Sequence, residues 1–251
     1  MKKIFIAGIA AAALFGAPAI AADMPVKAPV YKAPAPVFSW TGCYVGANAG
    51  GGWSDKSWRD PPAAPNDDLG SEKGSGFAGG GQIGCDYQSS NWVFGVRGMF
   101  DWTSLTSSHE EVPFAGFFDH SKVKGFETAT ARIGYALQPT LLVYGQGGFA
   151  FAQDHFWRTD TGIAAGGIDA DAHSHTRVGW DAGIGVEWIF APRWSVWLEY
   201  DYMGFRKKTT TFDLVPGPGS FQYEIGQNVQ AVLVGVNYRF DMGKAPVVAK
   251  Y

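Results

Sequence analysis

The stretch from Trp180 to Phe205 constrains the fold more than any other part of the chain. Read at every second residue, Trp180, Ala182, Ile184, Val186 and Trp188 form one set, and Asp181, Gly183, Gly185 and Glu187 form the other. After Ala191-Pro192-Arg193 the alternation resumes, with Trp194, Val196, Leu198, Tyr200 and Tyr202 against Ser195, Trp197, Glu199 and Asp201. Period two is the mark of a β-strand, and two such runs joined by a few residues predict a hairpin. The apolar face is flanked by aromatics, while the other carries charge and glycine. That suits a strand with lipid outside and a tight polar interior inside.

The same pattern recurs along the chain. A first strand spans about Trp40 to Trp53, with Cys43, Val45, Ala47 and Ala49 on one face and Tyr44, Gly46, Asn48 and Gly50 on the other. Further strands are predicted over about 76–88, 92–103, 123–137, 141–152 and 228–240, which with the hairpin above makes eight. Three connections are short: Ser89-Ser90-Asn91, Gln138-Pro139-Thr140 and Ala191-Pro192-Arg193. The other four, about 54–75, 104–122, 153–175 and 207–226, are long, polar and rich in glycine and proline. Long connections on one side and short turns on the other are the habit of outer-membrane barrels, and an even strand count returns both ends to the short-turn side. Trp92 and Trp102 share a face. At roughly 3.3 Å per residue and a tilt near 40° they lie about 25 Å apart along the axis, the height of a lipid band between aromatic girdles.

Composition agrees. Only 17% of the 251 residues are charged, 15% are aromatic and 34 are glycine, whereas soluble domains carry about 25% charge. No internal apolar run is long enough for a membrane helix, which leaves strands as the spanning element. A soluble lipocalin-like barrel would invert the faces, but the glycines favour the polar face, where a narrow interior needs them. Residues 1–21 resemble a secretory signal: Lys2-Lys3, an apolar run from Ile4 to Phe15, then Ala19-Ile20-Ala21 as the cleavage site. Its removal takes Lys+Arg from 20 to 18 against 23 Asp+Glu, a net charge of −5, so nucleic acid is not an expected partner. Residues 22–39 are a Pro/Ala/Lys-rich periplasmic linker, 40–240 the barrel and 241–251 a C-terminal tail.

Two cysteines, Cys43 and Cys85, share the outward parity near the periplasmic rim of neighbouring strands. In an oxidising compartment a disulfide is expected, with two lipid-facing thiols as the alternative. Arg97, Asp101, Arg132, Asp181, Glu187, Glu199, Asp201 and Arg239 fall on the inward parity. Buried charges must pair, so they predict a structural charge network in the interior; a narrow ion path is the second reading. Trp53, Trp92, Trp102, Trp180, Trp188, Trp194, Tyr202, Tyr238 and Phe240 are the predicted aromatic girdle. All five histidines fall in the long connections. His173-x-His175 has a spacing that could ligate a metal, against the plainer reading of solvated loop residues. Gly79-x-Gly81-x-x-Gly84 lies inside a strand and opens no helix, so it is no nucleotide site. Trp58, Phe114, Phe117, Phe118, Phe156, Trp157, Phe212 and Phe221 make the long connections candidates for surface contact or for packing on themselves. No nucleophile, base and oxyanion donor form a recognisable motif, so neither enzymatic activity nor a cofactor is expected.

Trp40-Thr41-Gly42-Cys43-Tyr44-Val45-Gly46, Gly79-Gly80-Gly81-Gln82-Ile83-Gly84 and Val234-Gly235-Val236-Asn237-Tyr238-Arg239-Phe240, with the Lys-Ala-Pro-rich linker, resemble the alphaproteobacterial RopB-like, outer-membrane immunogenic proteins over about residues 23–240. The resemblance implies a porin-like outer-membrane barrel of a Gram-negative cell envelope, exposed at the surface and linked to envelope integrity. It also implies a terminal aromatic read by the barrel-assembly machinery, for which Phe240 and Tyr251 both qualify. Aromatics are common in that family where Cys43 and Cys85 stand.

The expectation is therefore an all-β chain: an eight-stranded antiparallel up-and-down transmembrane β-barrel with four long extracellular loops and short periplasmic turns. Its expected role is structural and surface-exposed, with a passive channel for ions or small solutes and a loop-borne adhesin as the alternatives. The expected partners are outer-membrane lipid and lipopolysaccharide, the assembly machinery through the C-terminal strand, and peptidoglycan or a host surface.

Overall fold

A computed structural model describes residues 38–60, 67–111, 116–162, 167–215 and 217–241. The signal at 1–21, nearly all of the linker, the tail beyond 241, Phe114 and Tyr251 lie outside them. Eight antiparallel strands follow in order: β1 (Gly42–Asp60), β2 (Asp67–Ser89), β3 (Trp92–Glu110), β4 (Phe117–Gln138), β5 (Leu141–Asp160), β6 (Ile168–Ala191), β7 (Trp194–Leu214) and β8 (Ser220–Asp241). Each pairs with its sequence neighbours, and β1 pairs with β8 to close the ring, Cys43 opposite Phe240 and Val45 opposite Tyr238. Closure gives every backbone amide at membrane depth a partner, which hydrocarbon requires. Two-residue turns at Ser90-Asn91, Pro139-Thr140 and Pro192-Arg193 join the strands at one end.

The strands are much longer than the sequence pattern predicts. The four long connections continue the flanking strands as β-hairpin arms, so most of their residues are paired and only short tips remain. The histidines assigned to loops stand on these arms. At roughly 3.3 Å per residue and a tilt near 40°, a 23-residue strand such as β2 rises roughly 55–60 Å, about twice the lipid band.

Predicted outward residues do face outward. Trp53, Trp92, Trp102, Trp180, Trp188, Trp194 and Phe240 are exposed, and Tyr202 and Tyr238 are partly exposed beside them. They fall in two rows. Near the turns, Trp92 packs on Tyr135 and Trp194 on Tyr238, each at 5.2 Å between ring centroids. At the far level Trp180 packs on Tyr202 at 5.4 Å, with Trp53 and Trp102.

Just beyond the far row the ladder changes character. Irregularities interrupt β3–β4 at Trp102/Leu105, β4–β5 at Val123/Gly125, β5–β6 at Asp154/Phe156 and β7–β8 at Phe205/Lys208. An extra residue on one strand reverses which parity faces inward. On β4, Asp119, Ser121 and Val123 are buried above the bulge at Lys124, and Phe126, Thr128 and Thr130 below it. Pairing of β2 with β3 stops at Ser75 and Thr106. Between β6 and β7 it is absent from 172–178 and 206–212, although Asp171↔Asp213 and Gly179↔Phe205 lie in one register on either side. The closed barrel thus passes into two facing sheets, β3-β4-β5-β6 and β7-β8-β1-β2, rejoined at the tips of β6 and β7.

Interior glycines make room for large neighbours. A Cβ on Gly84 would lie 2.5 Å from Cζ and the hydroxyl of Tyr44, and one on Gly185 would lie 2.5 Å from the same atoms of Tyr144. Gly185→Ala is therefore expected to destabilise the barrel by about 1–3 kcal/mol, read as a lower denaturant midpoint for loss of the fast-migrating unboiled band in gels. An unchanged midpoint would show that the ring yields freely.

Candidate functional site

The inward parity that places Arg97, Arg132, Glu187, Glu199 and Arg239 in one lumen brings most of them into contact. At the periplasmic end, Glu187 accepts hydrogen bonds from Arg132 Nη1, Arg239 Nη1 and Asn237 Nδ2, each at 3.0 Å, and from Ser195 Oγ at 2.6 Å. Asp86 pairs with both Arg132 and Arg239, at 2.5 Å each. Two carboxylates thus meet two guanidinium groups, and the layer is neutral. Arg132 lies 5.0 Å from the rings of both Tyr44 and Tyr144, and Arg239 lies 5.0 Å from both Trp40 and Tyr44. Arg239 Nη2 also donates to the Trp40 carbonyl at 2.8 Å, so the fully buried Trp40 closes this end.

A second layer is built on Arg97, which holds Glu199 through two hydrogen bonds of 2.6 and 2.8 Å. Tyr144 donates to Glu199 at 2.6 Å, and Gln146 Nε2 bridges Glu199 at 3.0 Å and Asp201 at 2.6 Å. Gln82 links the layers, accepting from Arg97 at 3.2 Å and donating to Asn237 at 2.6 Å. Asp101 and Asp181 are buried beside this layer, but among the described residues neither lies within ion-pair distance of a cation. The charge network expected from the sequence therefore divides: six of its eight residues are joined, and these two are not. Asp86 is the hub absent from that expectation, although its inward parity was legible. Among and above these layers Met99, Leu105, Phe126, Trp197, Met203, Phe205 and Leu233 form an apolar plug, in which Trp197 Nε1 donates to Asn237 at 3.3 Å.

Cys43 and Cys85 face each other in the β1–β2 register and are joined by a disulfide.

Beyond the plug, the two facing sheets enclose a further polar layer. Lys56 Nζ donates to Ser121 Oγ at 2.6 Å and lies 3.9 Å from Glu72, to which Ser121 also donates. His109 stands between Glu72 at 3.6 Å and Asp119 at 3.9 Å. Arg177 meets Asp154 at 3.1 Å, and Gln227 donates to Asp154 at 3.2 Å. Trp58, Leu69, Phe156, Phe212, Tyr223 and Ile225 roof this layer. Three of the aromatics singled out as surface candidates, Trp58, Phe156 and Phe212, are thus fully buried between the sheets. The missed signal is the alternation of Ser54, Lys56 and Trp58 beyond Trp53, which carries the strand into the presumed loop.

Fold and lining together define an outer-membrane β-barrel: apolar and banded outside, charged and packed inside. Residues 7–240 match the model of the outer membrane protein beta-barrel domain, and the chain belongs to that family. It is 33% identical over 255 residues to the 31 kDa outer-membrane immunogenic protein of Brucella melitensis biotype 1, covering 96% of this chain and 100% of that one. It is 30% identical over 232 residues to the 25 kDa outer-membrane immunogenic protein of Brucella abortus biovar 1, covering 91% of this chain and 92% of that one. The outer membrane protease OmpT of Escherichia coli superposes with a TM-score of 0.52 at 8% identity, covering 82% of this chain and 99% of that one, a likeness of fold alone. The protein resides in the outer membrane.

Two expectations follow from the buried charges. Removing one partner of Arg97–Glu199 leaves the other uncompensated, so Arg97→Met or Glu199→Leu alone is expected to cost about 3–5 kcal/mol, and the double variant less than the sum. Additive losses in detergent unfolding would contradict the pairing. In the extension, burial and the nearby Glu111 carboxylate push Asp119 up to about 8. Its folded pKa exceeds the unfolded value near 3.9, so its favourable contribution is complete at acidic pH and is lost as pH rises through the folded value. Asp119→Asn should therefore gain stability relative to wild type on going from about pH 4 to about pH 9. A constant difference between the two midpoints would refute the shift.

Proposed function

We propose that the protein is a non-enzymatic structural barrel. It seals its own lumen, contributes to envelope integrity and holds a rigid β-extension at the cell surface. The observation that carries this reading is the filled interior: a neutral charge layer, a second layer on Arg97 and an apolar plug. Eight strands enclose a space that side chains can fill, and a conducting path would have to displace buried Trp197, Met203 and Leu233. The surface role draws support from the length of the arms and from the name immunogenic borne by the Brucella relatives. Adhesion through the arms is the second reading, favoured by the exposure of Arg206, Lys207, Lys208 and His173 on them. The proposed partners are outer-membrane lipid and lipopolysaccharide around the band, with peptidoglycan or a host surface as further contacts. The assembly machinery is proposed to read β8, where Phe240 follows Val234, Val236 and Tyr238 on the lipid face. The test is planar-bilayer recording: the folded protein should insert without discrete conductance steps. Steps that persist in single insertions would replace this reading with that of a channel.

A further inference from the structure

The opening between β6 and β7 is the least ordinary feature of the wall. Over 172–178 and 206–212 the two strands hold the register they have on either side, yet do not pair. It begins two residues beyond Trp180, in the far aromatic row, which places it at the level where lipid gives way to headgroups. Cations gather around it. Arg206, Lys207, Lys208 and His173 are exposed on its two sides, and Lys124 of β4 reaches Ser174 at 2.6 Å. Lys207 has an acidic neighbour, Glu224, at 3.4 Å, and His173 lies 3.9 Å from Asp171. Among the described residues no carboxylate lies within ion-pair distance of Arg206, Lys208 or Lys124.

The cluster is one field. His175 on β6 is held below its usual pKa by burial and then by Lys208 across the opening, Arg177 and His173, with Asp154 opposing them. Behind the opening, Arg177 extends from β6 past β7 to donate to the Ile225 carbonyl of β8 at 2.8 Å. It is almost wholly buried, paired with Asp154 at 3.1 Å through Nε, and leaves Nη2 without a hydrogen-bond partner; Thr210 on β7, equally buried, leaves Oγ1 without one. Uncompensated cations, unpaired strand backbone and buried polar atoms without partners converge where a negatively charged headgroup would lie.

We infer that the β6–β7 opening binds the phosphorylated headgroup of an outer-leaflet glycolipid, with Arg206 and Lys208 on the phosphate, His173 and His175 facing them, and Arg177 behind. The acyl chains then run down the lipid face past Trp180 and Tyr202. This rests on the proposed lipopolysaccharide contact and gives it a location.

The experiment uses the full folded chain in neutral detergent, with diphosphorylated lipid A as the probe and bound lipid counted by native mass spectrometry. Wild type is expected to retain the lipid, and R206Q/K208Q to lose affinity about tenfold for each charge-assisted contact removed. Lipid A stripped of phosphate should bind wild type as weakly as intact lipid A binds the variant. R59Q, a charge loss at an exposed site on the β1 arm, should bind like wild type. Should the double variant not fold, the exposed single change K208Q carries the same comparison. Undiminished binding to R206Q/K208Q, or an equal loss in R59Q, would overturn the site. Displacement by inorganic phosphate at matching concentration would overturn the headgroup assignment, since a lipid site draws on the chains as well. Failure of the broader reading is distinguishable: wild type would then retain no lipid A, with or without its phosphates, whereas failure of the site alone leaves wild type and R206Q/K208Q binding it equally.

Discussion

Everything in the lower half of the molecule depends on one constraint: a backbone amide in hydrocarbon has no water to bond. The ring closed by β1 and β8 satisfies that demand around the circumference. Beyond the far aromatic row the constraint lapses, and the ladder relaxes with it. Bulges appear on several strands at one height, β2 parts from β3, and β6 parts from β7. A barrel below and a two-sheet sandwich above are two answers to backbone satisfaction in two solvents.

Closure creates a second problem, the narrow interior, which glycine and charge solve together. Gly84 and Gly185 lack the Cβ that would strike Tyr44 and Tyr144, so these rings lie flat against the wall and flank Arg132. Stacked between them, Arg132 faces Asp86 and Glu187, and Asn237 and Gln82 carry the bonding to Arg97 and Glu199. Charges so deeply buried are tolerable only when paired and hydrogen-bonded. The same pairing that stabilises the lumen also fills it, and this filling is what supports the structural role proposed above.

The extension repeats this logic with less economy. Lys56, Glu72, Ser121, Asp154, Arg177 and Gln227 tie one sheet to the other beneath an aromatic roof, so the arms stand as a packed body. Around the β6–β7 opening their outer faces carry Arg206, Lys207, Lys208 and His173. A packed extension fixes those cations in place, and fixed charges recognise a ligand at less entropic cost than those on a mobile loop.

The sequence by itself determined the membrane part. Alternation in Trp180–Tyr202 assigned each residue a face, because period two is a local property of extended chain, and the aromatics marked the height of the lipid band. It placed Arg97, Arg132, Glu187, Glu199 and Arg239 inside, but not who meets whom: Asp86 as hub and the isolation of Asp101 and Asp181 depend on the stagger of strands far apart in sequence. The arms were hidden for another reason. On β4, β6 and β7 the inward parity reverses across Lys124, His173–Thr176 and Arg206–Lys207, so a strict period-two reading breaks there and the remainder resembles loop. Whether those stretches pair, bulge or part from one another is decided by the partner strand across the seam, and only the tertiary structure supplies it.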